Sequence, residues 1–257
     1  MDAAILQSPI AKEMTRSKVA NNPGEASDCL KQETGTAETM AADGRPLSAT
    51  PTDFGKLHPL LQAFYDRDPR RVSRDLLGKV LLRRDGRRVL AARIVEVEAY
   101  LSNDPAAHSF AGRTDRNAVL WGPPGIAYVY FIYGNHYCFN VSCLPDGVAG
   151  GVLFRALEPL VGIEAMAQAR GLVHADGADL RRLTSGPGRL AEAFGITRLR
   201  DNGKDLTSER SDLWIAEDGS RRPQVRVTIR IGINKAADKP LRYIVPGNRF
   251  VSGRRTV

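Results

Sequence analysis

Residues 79–100 read KVLLRRDGRRVLAARIVEVEAY. Two runs rich in Val, Leu and Ile flank Asp85-Gly86, and an Asp-Gly pair between β-type runs is a strong hairpin signal. In the second run the side chains alternate between faces. Val95, Val97 and Ala99 are expected on one side, and Glu96, Glu98 and Tyr100 on the other. Two carboxylates and a tyrosine on one face, about 6.7 Å apart in their Cα positions by strand rise, could form an acid/base site; the plainer reading is a solvated strand edge.

Downstream, residues 102–125 form a long polar, Gly/Pro-rich loop ending in WGPPG. A second hairpin follows, YVYFIY and HYCFNVS joined at Gly134-Asn135. The stretch GGVLFRALEPL then reads as a buried strand, with Arg155 flanked on its own face by Leu153 and Leu157. A guanidinium there needs a partner, because an unpaired buried charge costs several kcal/mol. A structural glutamate and an active-site carboxylate, water or phosphate are equally open. A short helix is expected to end at Gly171. After a polar loop, a second begins at Ser185-Gly186-Pro187, with Ser185 as cap, and stops at Gly195. QVRVTIRIGI and RYIVPG read as the final strands. Upstream, LLQAFYDRDPRRVSRDLL carries short amphipathic helical patterns. Strands dominate, with helices around them, so the fold class is α+β: one compact domain with a curved, mainly antiparallel sheet and a protruding β-hairpin.

Residues 1–52 hold no aromatic residue and no sustained period. A disordered tail is expected over 1–56 and a folded domain over 57–257, since such a composition cannot bury enough apolar surface to offset chain entropy. Residues 1–56 carry 6 Lys/Arg and 8 Asp/Glu, the rest 31 and 21. The folded part is therefore basic, which suits a polyanionic partner. No apolar run reaches the roughly 18 residues of a membrane span, and the N-terminus lacks a secretory pattern. Cys29, Cys138 and Cys143 show no zinc-ligand spacing and fit reduced thiols. Aromatic residues crowd the second hairpin, and some of them must be core. Tyr133, directly before the Gly-Asn tip, is a candidate wedge between base pairs. His108 is a loop histidine, a type more often found at the surface than in catalysis.

Taken together, the chain resembles the alkyladenine (3-methyladenine, methylpurine) DNA glycosylase family. The matching stretches are RDLLGKVLLR, RIVEVEAY, DPAAHS, GRTDRN, GPPGIAYVYFIYGNHYCFNV, LFRALEP, LTSGPGRL, RIGINKA and YIVPGNRFVS, in family order from Arg74 to Ser252. The resemblance implies a monofunctional enzyme of base excision repair. It would flip alkylated or deaminated purines out of duplex DNA and hydrolyse the N-glycosidic bond, with neither metal nor organic cofactor. It implies Glu98 as general base, and Arg155 and the Ile231 carbonyl as holders of the water. Tyr100, His108 and Tyr130 would be walls around the flipped base, Asn140 the group crowding the amino group of guanine, and Tyr133 the intercalating residue. Asn135 stands where the family often has methionine, and Val97 where it often has threonine. No lysine occupies a matched site position, which speaks for hydrolysis without a Schiff base. A monomer is expected, on DNA in a bacterial cytoplasm or a eukaryotic nucleus. A non-catalytic nucleic-acid-binding module on the same scaffold is the alternative, and a hydrolase of free nucleosides a second one.

The implied roles raise a parity problem. A strict two-residue turn at Gly134-Asn135 would pair Tyr130 with Phe139 and put Asn140 on the opposite face. If both residues line one pocket, a three-residue loop or a bulge must lie near the tip.

Overall fold

The computed structural model describes residues 53–132, 134–172 and 177–253. The expected tail up to residue 52, with Cys29, and the wedge candidate Tyr133 lie outside the described residues. Among those described, eight strands form one curved antiparallel sheet. They are β1 (Val80–Asp85), β2 (Arg88–Tyr100), β3 (Ala127–Ile132), β4 (His136–Ser142), β5 (Gly151–Val161), β6 (Leu213–Ala216), β7 (Arg226–Thr228) and β8 (Arg242–Ile244). Their order is β3-β4-β5-β2-β1-β6, with β8 beside β2 and β7 beside β8. The helices are α1 (Gln62–Tyr65), α2 (Pro69–Leu76), α3 (Ile163–Ala169), α4 (Gly177–Thr184), α5 (Pro187–Ala193) and α6 (Arg198–Asp201). This is the α+β architecture read from the sequence. No described helix is long and apolar enough to cross a membrane.

Strand β2 organises the sheet. One edge pairs with β1 over Arg88–Arg93 and then with β8 over Glu96–Glu98, while the other edge pairs with β5. Glu98 is thus held between Leu153 on one side and Arg242 on the other. The main core lies between the sheet and helices α2 and α5. There Phe139 stacks on Phe154 at 4.6 Å, and Leu76, Leu190 and Phe194 are fully buried.

The first hairpin is present, with its turn one residue later than expected. Asp85 still pairs with Arg88, so Gly86-Arg87 makes the two-residue turn, and Gly86 takes the left-handed φ of 59° that favours glycine. In the second hairpin Ile132 pairs with His136, leaving three residues between the strands as parity required. Tyr128 therefore opposes Asn140, and Tyr130 opposes Cys138.

Strict alternation fails at the centre of the sheet. The β2–β5 register shifts on both sides of Glu96, a bulge-like irregularity that skips Arg155 in the pairing. Val95 consequently packs with Ala156 and Phe250 in a small cluster of its own, away from Val97 and Ala99 in the main core. Leu157 joins Phe154 in the main core instead of sharing a face with Arg155. Three other expectations need correction. The cap of α5 is Gly186 (φ 124°), with no side-chain bond, and Ser185 instead bridges to Ala156. Helix α4 occupies part of the segment expected to be a polar loop. The last two strands are three residues each, because irregular backbone follows Thr228 and Ile244.

Candidate active site

A cavity of about 500 Å³ opens where the second hairpin, β5, the loop after β2 and the segment after β7 converge. Tyr100, His108, Tyr130, Asn140, Arg155 and Ile231 all contribute to its wall. Six positions scattered over more than a hundred residues thus meet in one place. Tyr130 and Asn140 share the inward face of the hairpin because of the three-residue connection. The His108 ring lies edge-on to Tyr130 with centroids 4.4 Å apart, and its Nδ1 is 2.9 Å from the Tyr128 hydroxyl oxygen. Asn140 is buried and donates its amide N–H to the Tyr128 carbonyl at 3.1 Å.

Glu98 lies immediately behind this wall and is fully buried. Its Oε1 accepts the Ile231 N–H at 3.1 Å and sits 3.3 Å from Arg155 Nη1, while its Oε2 accepts the Tyr100 hydroxyl at 3.0 Å. Arg155 Nη1 also donates to the Ile231 carbonyl at 3.3 Å. The expectation of a solvated edge is therefore overturned for both glutamates of the strand. The question left open for Arg155 is answered too: its partners are Glu96 and Glu98 together. The described residues contain no group of three or more His, Cys, Asp or Glu arranged to hold a metal ion.

A family profile for methylpurine-DNA glycosylase matches residues 63–249. The chain belongs to that family. It is a DNA glycosylase of repair, an N-glycosidase acting on DNA. A relative from Koribacter versatilis is 64% identical over 205 residues, covering 79% of this chain and 98% of its own. One from Burkholderia lata is 50% identical over 76% of this chain and 91% of its own. One from Methanoculleus marisnigri is 47% identical over 75% and 97%. All three carry the provisional name 3-methyladenine DNA glycosylase.

The electrostatics of this candidate site follow from its burial. Removal from water pushes the Glu98 carboxyl above its ordinary value, against the opposing pull of Arg155, the Ile231 N–H and Tyr100. Burial, then the Glu98 charge, keeps the Tyr100 phenol protonated, so it can only donate to the carboxylate. Burial also lowers His108, assisted by the charge of Arg116, which favours a neutral imidazole.

Several residues that shape the site escaped sequence reasoning. Tyr128 lies among aromatic residues of one hairpin, where core and cavity rings look alike. Asn117 pins the His108 loop, donating to the His108 carbonyl at 2.9 Å and the Gly112 carbonyl at 3.0 Å while accepting the Thr114 N–H at 2.7 Å. Its place in GRTDRN was the available signal. Arg230 pairs with Asp104 in full burial and lies 4.7 Å from the Tyr100 ring centroid. Period-two alternation in QVRVTIRIGI puts Arg230 on the polar face with Arg226 and Thr228, so the sequence carried no signal of its burial. The strand ends at Thr228, and beyond it Ile229 is the exposed residue.

Proposed function

We propose that the enzyme extrudes alkylated or deaminated purines from duplex DNA into the 500 Å³ cavity and hydrolyses the glycosidic bond with a water activated by Glu98. The observation that carries this is a buried carboxylate of raised pKa, held by Arg155 and Ile231 directly behind an aromatic-walled cavity. A base within a duplex is out of reach of any such group, so it must leave the stack, at a cost of a few kcal/mol. The basic surface offsets that cost, as does insertion of the hairpin tip, with Tyr133 in the wedge role the resemblance assigns.

In the cavity, Tyr130, His108 and Tyr100 offer ring faces and edges. Stacking tolerates different purines, which supports a broad lesion range. Alkylation at a ring nitrogen gives the purine positive charge, which rings attract and which makes it a better leaving group. The C–N bond breaks with its electron pair leaving on the purine. A water oxygen bonds to the sugar's anomeric carbon, and Glu98 takes the proton. The carboxylate also stabilises positive charge developing on the sugar. The water is admitted at the seam between Tyr100, Arg155 and Ile231. No cofactor and no Schiff base are invoked, and the enzyme acts as a monomer on chromosomal DNA, in a bacterial cytoplasm or a eukaryotic nucleus.

The test is a panel of duplexes, each with one defined lesion, assayed for free base with wild-type and Glu98→Gln protein. The expected result is release of 3-methylated and deaminated purines by the wild type, and loss of release in the variant with binding retained. Equal release by the two proteins would remove Glu98 from the chemistry.

A further inference from the structure

Glu96, two residues before Glu98 on β2, has no part in the chemistry described so far, yet it is fully buried and heavily engaged. Its Oε1 accepts from Arg155 Nε at 3.0 Å, Arg242 Nε at 2.7 Å and Ser252 Oγ at 2.9 Å. Its Oε2 accepts the Ser252 backbone N–H at 2.5 Å. Strand β5, strand β8 and the segment after β8 therefore converge on one carboxylate. Ser252 and Gly253 line the cavity, so that segment is part of the cavity wall.

The guanidinium is a rigid planar fork, so holding one N–H sets the direction of the others. With Nε taken by Glu96, the Arg155 Nη1 falls 3.3 Å from both Glu98 Oε1 and the Ile231 carbonyl. An arginine released from Glu96 would be free to turn into a two-pronged pair with Glu98, the strongest arrangement open to it. That pairing would stabilise the ionised carboxylate and weaken it as a base. Arg242 supplies the second positive charge, so two buried glutamates face two arginines and neither carboxylate is left uncompensated. The irregular β2–β5 register serves the same end, because it brings Glu96 opposite Ala156 and leaves Arg155 free of strand pairing.

We propose that Glu96 is a positioning residue for water activation: by fixing the Arg155 plane and tying Ser252 into the cavity wall, it keeps the guanidinium shared between Glu98 and Ile231. This rests on the reading of Glu98 as the group that activates water. The charged and titratable groups facing Glu98 are Glu96 and Tyr100 on β2, Arg155 on β5 and Cys138 on β4.

The test measures single-turnover release of 3-methyladenine from a duplex, with enzyme in excess, across acid to neutral pH. Duplex affinity and thermal melts are recorded alongside. Glu96→Gln is expected to lower the plateau rate about 100-fold with affinity unchanged, the scale of a small misplacement in an active site. Its acid limb should move to lower pH, because Glu98 loses a neighbouring negative charge. Glu96→Asp keeps the charge but is too short to hold all its donors. It should lower the plateau, with the acid limb moving less than in Glu96→Gln because the neighbouring negative charge is kept. A Glu96→Gln profile lying on the wild-type curve would overturn the proposal. So would losses in both variants that merely track the folded fraction, or failure of both to fold. If Glu98→Gln releases base normally, the reading of Glu98 falls instead. If it is inactive while Glu96→Gln behaves as wild type, the role of Glu96 alone falls.

Discussion

Tyr100 donates its phenolic hydrogen to Glu98 Oε2 at 3.0 Å, from two positions further along the same strand. The hydroxyl is thereby committed to the carboxylate, and the ring is what remains for the cavity. Removing the bond while keeping the ring is possible with Tyr100→Phe. A hydrogen bond to a carboxylate favours its ionised form, so its loss raises the Glu98 pKa further. A bond to a charged group is worth about 1.5–3 kcal/mol, or roughly one to two pH units. The acid limb of base release should shift upward by that amount, with the rate at high pH little changed. A pH–rate profile decides it, and an unmoved limb would mean the bond does not favour the ionised form.

The raised pKa of Glu98 also has a consequence for stability. Its folded-state value lies above the unfolded one, about 4.3 for a free glutamate, chiefly because burial penalises the charge. Stability from the neutral carboxyl is complete below the unfolded pKa and is lost as pH rises through the folded one. Glu98→Gln escapes that loss. Its Tm should equal or exceed the wild-type Tm at neutral pH, with the advantage shrinking in acid. Thermal melts at several pH values test this. A lower Tm for the variant at neutral pH would show that the ionised pair with Arg155 is net stabilising.

How much of this was legible in the sequence depends on how far the deciding interaction reaches. Both hairpins were readable because turn residues act locally, and the three-residue connection at the second tip followed from requiring Tyr130 and Asn140 to share a face. Gly86 took the first turn one residue late because β1 keeps pairing through Asp85. The faces of Val95 and Leu157 were misread for a different reason. The register shifts around Glu96 depend on how β2 meets β5, and period-two alternation carries no sign of them. Helix α4 was missed because its apolar stripe is only Leu180 and Leu183, too short to register as a period. The family motifs brought Glu98, Arg155 and Ile231 together. Glu96 was visible as a neighbour, but its bonds to Arg242 and Ser252 span 146 and 156 residues and required the fold.

Gly188 on α5 packs directly against His136, the residue that closes the tip loop of the second hairpin. A Cβ at position 188 would lie 2.9 Å from His136 Cγ and 3.1 Å from its Cβ. Gly188→Ala should therefore destabilise the protein by about 1–3 kcal/mol through overpacking. In a His136→Ala background the cost of the same change should be clearly smaller, since the ring contact is gone and only the 3.1 Å approach to Cβ remains. Against that approach alanine gains about 1 kcal/mol as the better helix former. Urea melts of the four proteins form the cycle. Equal cost of Gly188→Ala in both backgrounds would mean the contact is not what requires glycine there.

Asp104 and Arg230 form an ion pair with neither side chain exposed, one contact being Arg230 Nη2 to Asp104 Oδ1 at 3.0 Å. Arg230 also donates to the carbonyls of Ala99 and Ala236, at 3.2 Å each. The pair thus ties the loop after β2 to the segment that carries Ile231. Asp104→Asn leaves a buried guanidinium without its counter-charge, which typically costs about 3–5 kcal/mol. That is a large part of a typical total of about 5–15 kcal/mol. The double change Asp104→Leu with Arg230→Met removes both charges and should recover much of the loss, because well-packed apolar residues can replace a buried pair. It should not recover base release, since the tether to Ala99 and the cation beside the Tyr100 ring are gone. Denaturant melts with single-turnover rates separate these effects. Should the double variant regain activity together with stability, the pair serves folding alone, and Tyr100 and Ile231 keep their places without it.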